Sequence, residues 1–239
     1  MINKVNNWFN IIQYSLLPAN CILCNQPGMP CRDLCKPCYE ALLRTANPCL
    51  CCASEFSNTI AIQSLCGKCQ TKHPAFDKTY APFRHQGAIR YLIAQLKFNR
   101  THQYSRLLGQ LLAEYIQKEA DCLPTILIPI PLHPERYRQR GFNQTLEIAK
   151  IVAHELAIPL NNTSCLRLKN TEKQSNLTAK QRHNNIKNAF KIRKAPKAQH
   201  IAILDDVMTT GATANELAKT LKTANKEIER IDIWVCARA

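Results

Sequence analysis

The chain has 239 residues, 46% of them apolar, and a formal net charge of +15 from 32 Lys and Arg against 17 Asp and Glu. That composition excludes a disordered chain and allows one large domain, or a domain with an accessory module. No run of about 18 uncharged apolar residues occurs, which argues against a membrane span.

Residues 1–19 carry Trp8, Ile11, Ile12, Leu16 and Leu17 at roughly helical spacing. The segment is too short and too polar for a signal peptide. It is expected to form an amphipathic helix docking on the body, the alternative being contact with a partner or a membrane surface.

Ten of the thirteen cysteines fall between Cys21 and Cys69, leaving Cys122, Cys165 and Cys236 for the rest of the chain. Cysteines clustered in this way, with no secretory signal, point to metal ligands over disulfides. They form four C-x-x-C units: Cys21/Cys24, Cys35/Cys38, Cys49/Cys52 and Cys66/Cys69. Two thiolates on one tight turn can face one ion, and two such turns complete a tetrahedral sulfur site that suits zinc. Four units therefore predict two zinc sites, with sequential pairing favoured over interleaving. Oxidised cysteines or an iron–sulfur cluster are the alternatives. Cys31 and Cys51 are left over, and Cys51 can substitute for Cys49 or Cys52. A segment this small has little core of its own, so metal would supply much of its folding energy.

After about residue 77 regular apolar periodicity takes over. Helical spacing marks residues 87–98, 102–118, 143–156 and 212–224, while the continuous apolar runs 125–131, 200–206 and 228–238 read as buried strands. Strands alternating with helices predict an α/β domain with a mainly parallel sheet flanked by helices. The expected organisation is residues 1–19 as the N-terminal helix, 20–76 as a cysteine-rich double zinc ribbon and 77–239 as the α/β domain.

The stretch IAILDDVMTTGATANELAKTL, residues 201–221, carries the most specific chemistry. A strand expected to end in Asp205 and Asp206 runs into Val207, Met208, Thr209, Thr210, Gly211, Ala212 and Thr213 at the start of a helix. Backbone N–H groups and threonine hydroxyls converging on a helix N-terminus favour a phosphate dianion. Gly211 permits close backbone approach or a positive φ. The two carboxylates lie about one sugar's length away, where they can accept from vicinal ribose hydroxyls.

This segment resembles the phosphoribosyl pyrophosphate (PRPP) signature of type I phosphoribosyltransferases. A second stretch, IPIPLHPERYRQRGFNQ at 128–144, resembles the hallmark of the ComF family of competence proteins, which join a double zinc ribbon to a phosphoribosyltransferase domain. LKFNR at 96–100, RLKNTEKQSNLTAKQRHNN at 167–185 and AF at 189–190 accompany it in order. The resemblance covers residues from about 20 to the C-terminus. It implies a type I phosphoribosyltransferase-like fold, PRPP bound with Mg²⁺ at Asp205 to Thr213, and pyrophosphate held in the loop after the 125–131 strand. His133, Arg136, Arg138, Arg140 and Asn143 cluster in that loop, and arginine forks suit phosphate oxygens. Residues 167–185 correspond to the hood of that plan, where Arg167, Lys169, Gln174 and Arg182 can close over a ligand or grip a nucleic-acid backbone.

Residues 135–200 hold 14 Lys and Arg against four Asp and Glu. Such a basic strip suits nucleic acid, whose phosphates dominate affinity, and Tyr137, Phe142 and Phe190 offer a few stacking surfaces. The alternative is a basic protein without a nucleic-acid partner. Three readings follow. The resemblance implies a competence factor receiving single-stranded DNA in the cytoplasm, or peripherally at the inner membrane, alongside other DNA-uptake proteins. The second is an active phosphoribosyltransferase with an unknown acceptor, and the third a PRPP-binding sensor or adaptor without turnover.

Overall fold

The computed structural model describes residues 20–56, 64–98, 101–170 and 186–239. The expected helix over residues 1–19 lies outside the described residues, as do Gln174 and Arg182.

Two one-turn helices, α1 (Lys36–Glu40) and α2 (Gly67–Thr71), belong to the cysteine-rich part. There follow β1 (Lys78–Tyr80), β2 (Phe83–Arg84), α3 (Gly87–Phe98), α4 (His102–Glu119), β3 (Ile126–Pro129), α5 (Pro134–Arg140) and α6 (Gln144–Glu155). The chain then forms β4 (Cys165–Arg167), β5 (Phe190–Ile192), β6 (His200–Met208), α7 (Ala212–Ala224) and β7 (Arg230–Arg238). The main sheet has the order β1-β7-β6-β3, with β2 continuing beside β7, and every pairing in it is parallel.

Both faces of a parallel sheet are covered by helices, which is why β6 and β7 are almost continuously apolar. Side chains alternate across them. Ala202, Leu204 and Trp234 join the core formed with α3, α4 and α6, while Ile201, Ile203, Ile231, Ile233 and Val235 pack with Leu217, Ala218 and Leu221 of α7. Helices α4 and α6 cross closely at Gly109, where an added Cβ would lie 2.6 Å from Ile151 Cβ.

Two features depart from the sequence expectation. β6 does not end at the acids. It runs on to Met208, because Val207 and Met208 are buried and pair with Ala237 and Arg238 of β7. The arginine-bearing loop after β3 is a helix, α5, started by Pro134 and by the His133 ring accepting from Glu135 N–H, and stopped by Gly141 at φ 77. Only residues 171–185 of the expected hood lie outside the described residues, and its base is the antiparallel pair β4·β5.

The cysteine-rich part packs on this body at two places. Leu34, Cys35 and Leu42 enter the core that holds α4. Arg32 NH2 and the Tyr39 hydroxyl both donate to the Glu114 carboxylate of α4 at 2.6 Å, and Arg106 of α4 holds Asp33 through Nε at 3.1 Å. Cys49, Cys51, Ala53 and Cys69 pack instead with Phe76 in the core on the α7 side.

Candidate functional site

The cysteines gather into two tetrads, Cys21/Cys24/Cys35/Cys38 and Cys49/Cys52/Cys66/Cys69, with the sulfurs of each within 4.8 Å of one another. Sequential pairing is therefore what the fold produces. Zinc at about 2.3 Å from four sulfurs sets them roughly 3.8 Å apart; Cys24 and Cys35 are 3.6 Å apart, as are Cys52 and Cys66. The donor chemistry also fits. Burial opposes ionisation of Cys21, but the N–H groups of Cys35, Leu23 and Cys24 outweigh it and bring the thiol down to about 6. Burial likewise opposes ionisation of Cys52, yet bonds from Ser54 bring it to about 7. Burial and neighbouring thiols push Cys38 and Cys69 well above the ordinary range. Four thiols so close cannot all ionise without a cation between them, so each tetrad can hold a zinc ion. Cys51 is no ligand: its thiol is buried and directed at the Phe76 carbonyl, 3.7 Å away. Cys31 is exposed.

The second group of residues lies at the C-terminal ends of the strands, where α/β sheets carry their ligand sites. Asp205 and Asp206 are consecutive within β6, and each bonds a different helix, Asp205 to α6 and Asp206 to α3. Asp206 is buried, with its Oδ2 2.7 Å from Lys97 Nζ at the end of α3 and its Oδ1 accepting from Val207 N–H at 2.9 Å. Asp205 is half-buried and accepts from Thr145 Oγ1 at 3.5 Å and from Asp206 N–H at 2.9 Å. Behind both, burial and the two carboxylates push the Cys236 thiol upward.

Val207 and Met208 turn into the packed interior, whereas Thr209 and Thr210 are exposed and Ala212 and Thr213 are half-buried on the first turn of α7. Gly211 stands at φ 77, a backbone conformation that favours glycine, and a Cβ there would have to displace the Met208 Cε methyl, 2.5 Å away. Thr210 Oγ1 accepts from Ala212 N–H at 3.4 Å. Arg238, the last residue of β7, braces this loop from behind. Its NH1 donates to the Met208 carbonyl at 2.9 Å and to the Thr209 carbonyl, while Nε donates to Cys52 O at 3.1 Å and NH2 to Ser54 Oγ at 2.7 Å. One guanidinium thus joins the second tetrad to the threonine loop.

Among the basic candidates, Arg167 feels the charge of Asp205. Burial lowers its pKa, Asp205 opposes that shift and Arg136 adds to it, so these three side chains share one electrostatic neighbourhood. The Arg167 guanidinium also lies 5.8 Å from the Phe190 ring centroid. Arg136 Nε donates to Asn170 Oδ1 at 3.0 Å, and Asn170 in turn donates to Glu135 at 2.6 Å, which ties α5 to the end of β4. Arg138 is exposed, and Arg140 NH1 donates to Gln144 at 3.2 Å. Asn143 is buried as the cap of α6, accepting from Thr145 N–H at 3.1 Å and donating to Ile130 O at 3.2 Å. Lys169 turns away to the Lys187 carbonyl. Sequence reasoning assigned no role to Lys97, Thr145 or Arg238. A buried Asp206 demands a cation, but which Lys supplies it depends on how α3 packs.

No family model matches the chain. It is 33% identical over 181 residues to Competence protein F of Haemophilus influenzae, covering 73% of this chain and 78% of that protein. The chain belongs to the ComF family. Within that family it is 28% identical to the DNA utilization protein YhgH of Salmonella typhimurium, over 93% of this chain and 98% of that one. It is 26% identical to Competence protein ComFC of Streptococcus pneumoniae, over 85% and 94% respectively. Among solved structures, a purine phosphoribosyltransferase from Pyrococcus horikoshii is 18% identical, with a TM-score of 0.34 over 58% of this chain and 85% of that one. The ComF chain described here has a parallel sheet flanked by helices and two cysteine tetrads that can each hold a zinc ion. Among the described residues no helix is long and apolar enough to cross a membrane.

Proposed function

We propose that this ComF chain is a competence factor that handles incoming single-stranded DNA in the cytoplasm and binds PRPP or a related phosphoribosyl ligand. Residues 20–76 form its metal module and 77–239 its ligand-binding domain. The observation that carries the reading is the end of β6, where a half-buried Asp205 stands before the glycine-turned loop of Thr209, Thr210 and Thr213, with Arg167 and Arg136 close by. In this reading the 5-phosphate sits on the N–H groups at the start of α7, and Asp205 accepts from a ribose hydroxyl. Asp206, already committed to Lys97, holds the strand end in place. Mg²⁺, a hard cation that keeps oxygen ligands, arrives with the pyrophosphate, and Arg136 and Arg167 supply the remaining positive charge. The competence names of the relatives support the DNA assignment, as does the basic strip over 135–200.

The test is binding of labelled single-stranded DNA across a salt series, with and without PRPP and Mg²⁺, beside calorimetry of PRPP alone. Affinity for DNA is expected to fall steeply with salt and to change when PRPP is added. Asp205→Ala is expected to abolish PRPP binding, and an unchanged calorimetric affinity would remove Asp205 from the site. Absence of DNA binding at every salt concentration would leave the basic strip a solvated surface. It would direct attention to the second reading, phosphoribosyl transfer to an unknown acceptor, which the retained acids and threonine loop favour.

A further inference from the structure

The N-terminal edge of the sheet, opposite the threonine loop, holds a group of side chains that the phosphoribosyl reading does not use. His200 opens β6, and its Nε2 lies 2.9 Å from Asp232 Oδ2 on the neighbouring strand β7. Asp232 is fully buried, and its other oxygen accepts from Arg230 Nε at 3.0 Å. A carboxylate only accepts, so the Nε2 facing it carries a ring proton, and in the neutral form of the ring Nδ1 is the basic nitrogen. Cys122 Sγ lies 3.7 Å from that Nδ1, in the exposed turn between α4 and β3. The same sulfur accepts from Arg230 NH1 at 3.3 Å. Arg230 is held in place by Asp121, to which NH1 and NH2 donate at 2.7 and 2.8 Å. A thiol, an imidazole and a buried carboxylate therefore stand in series, with a fixed guanidinium against the sulfur. That is the arrangement of nucleophile, base and orienting group from which activated cysteines are built.

We propose that Cys122 is a modifiable nucleophile for small electrophiles of the peroxide class, with His200 as its base and Asp232 as the group that orients the ring. With hydrogen peroxide as oxidant, His200 Nδ1 takes the thiol proton while sulfur attacks one peroxide oxygen. The O–O bond breaks, and the departing hydroxide takes the proton back from the ring to leave as water. Sulfur is oxidised to the sulfenic acid and the peroxide is reduced. Arg230 stabilises the sulfur anion as the proton leaves. Exposure gives the electrophile access, in contrast to Cys165 and Cys236, which are buried.

The zinc-saturated full-length protein supplies the test, because zinc protects the tetrad thiols and leaves Cys31 as an exposed internal reference. In a brief iodoacetamide pulse at neutral pH, followed by peptide mass spectrometry, Cys122 is expected to label at least about tenfold faster than Cys31. A hydrogen peroxide pulse trapped with dimedone is expected to mark Cys122 in preference to Cys31. His200→Gln, which can still bond Asp232 but offers no basic nitrogen, is expected to bring Cys122 down to the Cys31 rate with zinc content unchanged. Equal labelling of Cys122 and Cys31 in the unsubstituted protein overturns the proposal without any variant. An undiminished Cys122 rate in His200→Gln overturns the role of the imidazole.

Discussion

Replacing Lys97 by Met tests whether the end of β6 depends on a cation from α3. The perturbation keeps most of the aliphatic stem and removes the ammonium, leaving the Asp206 carboxylate buried without that cation. The side chains of Lys97 and Asp206 are 18% and 7% exposed, so screening by water is slight and an unpaired charge at this position is costly. Coulomb attraction at contact distance is about 4 kcal/mol for an effective dielectric near 20, offset by desolvation of both ions. Removing one partner of a buried pair destabilises by roughly 3–5 kcal/mol, and the surviving bond from Val207 N–H places this case near the lower end, about 3 kcal/mol. Urea unfolding of zinc-saturated protein reads this as a midpoint lowered by about 1 M with the slope unchanged. Lys97→Met combined with Asp206→Asn should recover part of the loss, since no buried charge is then stranded. A loss below about 1 kcal/mol in the single variant, or no recovery in the double, would refute the argument that this pair anchors the strand.

Elemental analysis should find two zinc equivalents per chain, and Cys66→Ser should retain one; the same variant should also weaken PRPP binding, because Arg238 bonds both the Cys52 turn and the threonine loop. Gly109→Ala forces a methyl against Ile151 and should cost about 1–3 kcal/mol in thermal or urea unfolding. Acid should loosen the docking of the first tetrad on α4. Burial raises the Glu114 pKa, but the Tyr39 hydroxyl and Arg32 outweigh it, so the folded value lies below the unfolded one. Its contribution is therefore complete above the ordinary carboxylate range and is lost as pH falls through the folded value. The stability difference between the native chain and Glu114→Gln, measured by urea unfolding over a pH series, should shrink toward zero below about pH 4.

Local sequence determined a large share of this protein. The C-x-x-C spacing carried the two tetrads because both thiols of a unit ride on one tight turn, and the apolar periods carried helices 87–98 and 212–224 to the residues where they are found. Continuous apolar runs marked β6 and β7, since strands covered on both faces have no polar side to alternate with. Gly211 was legible because few other residues tolerate its backbone. Tertiary structure decided what depends on packing between distant segments. Whether β6 stops at Asp206 or runs to Met208 is settled by pairing with β7, and the partners of the two acids, Thr145 and Lys97, come from two different helices. The cation that neutralises Asp206 comes from α3, the brace behind the threonine loop from the last strand, and the base beside Cys122 from the start of β6, some 78 residues away. No local pattern encodes such partners, because they meet only when the sheet order β1-β7-β6-β3 brings their strands and helices side by side.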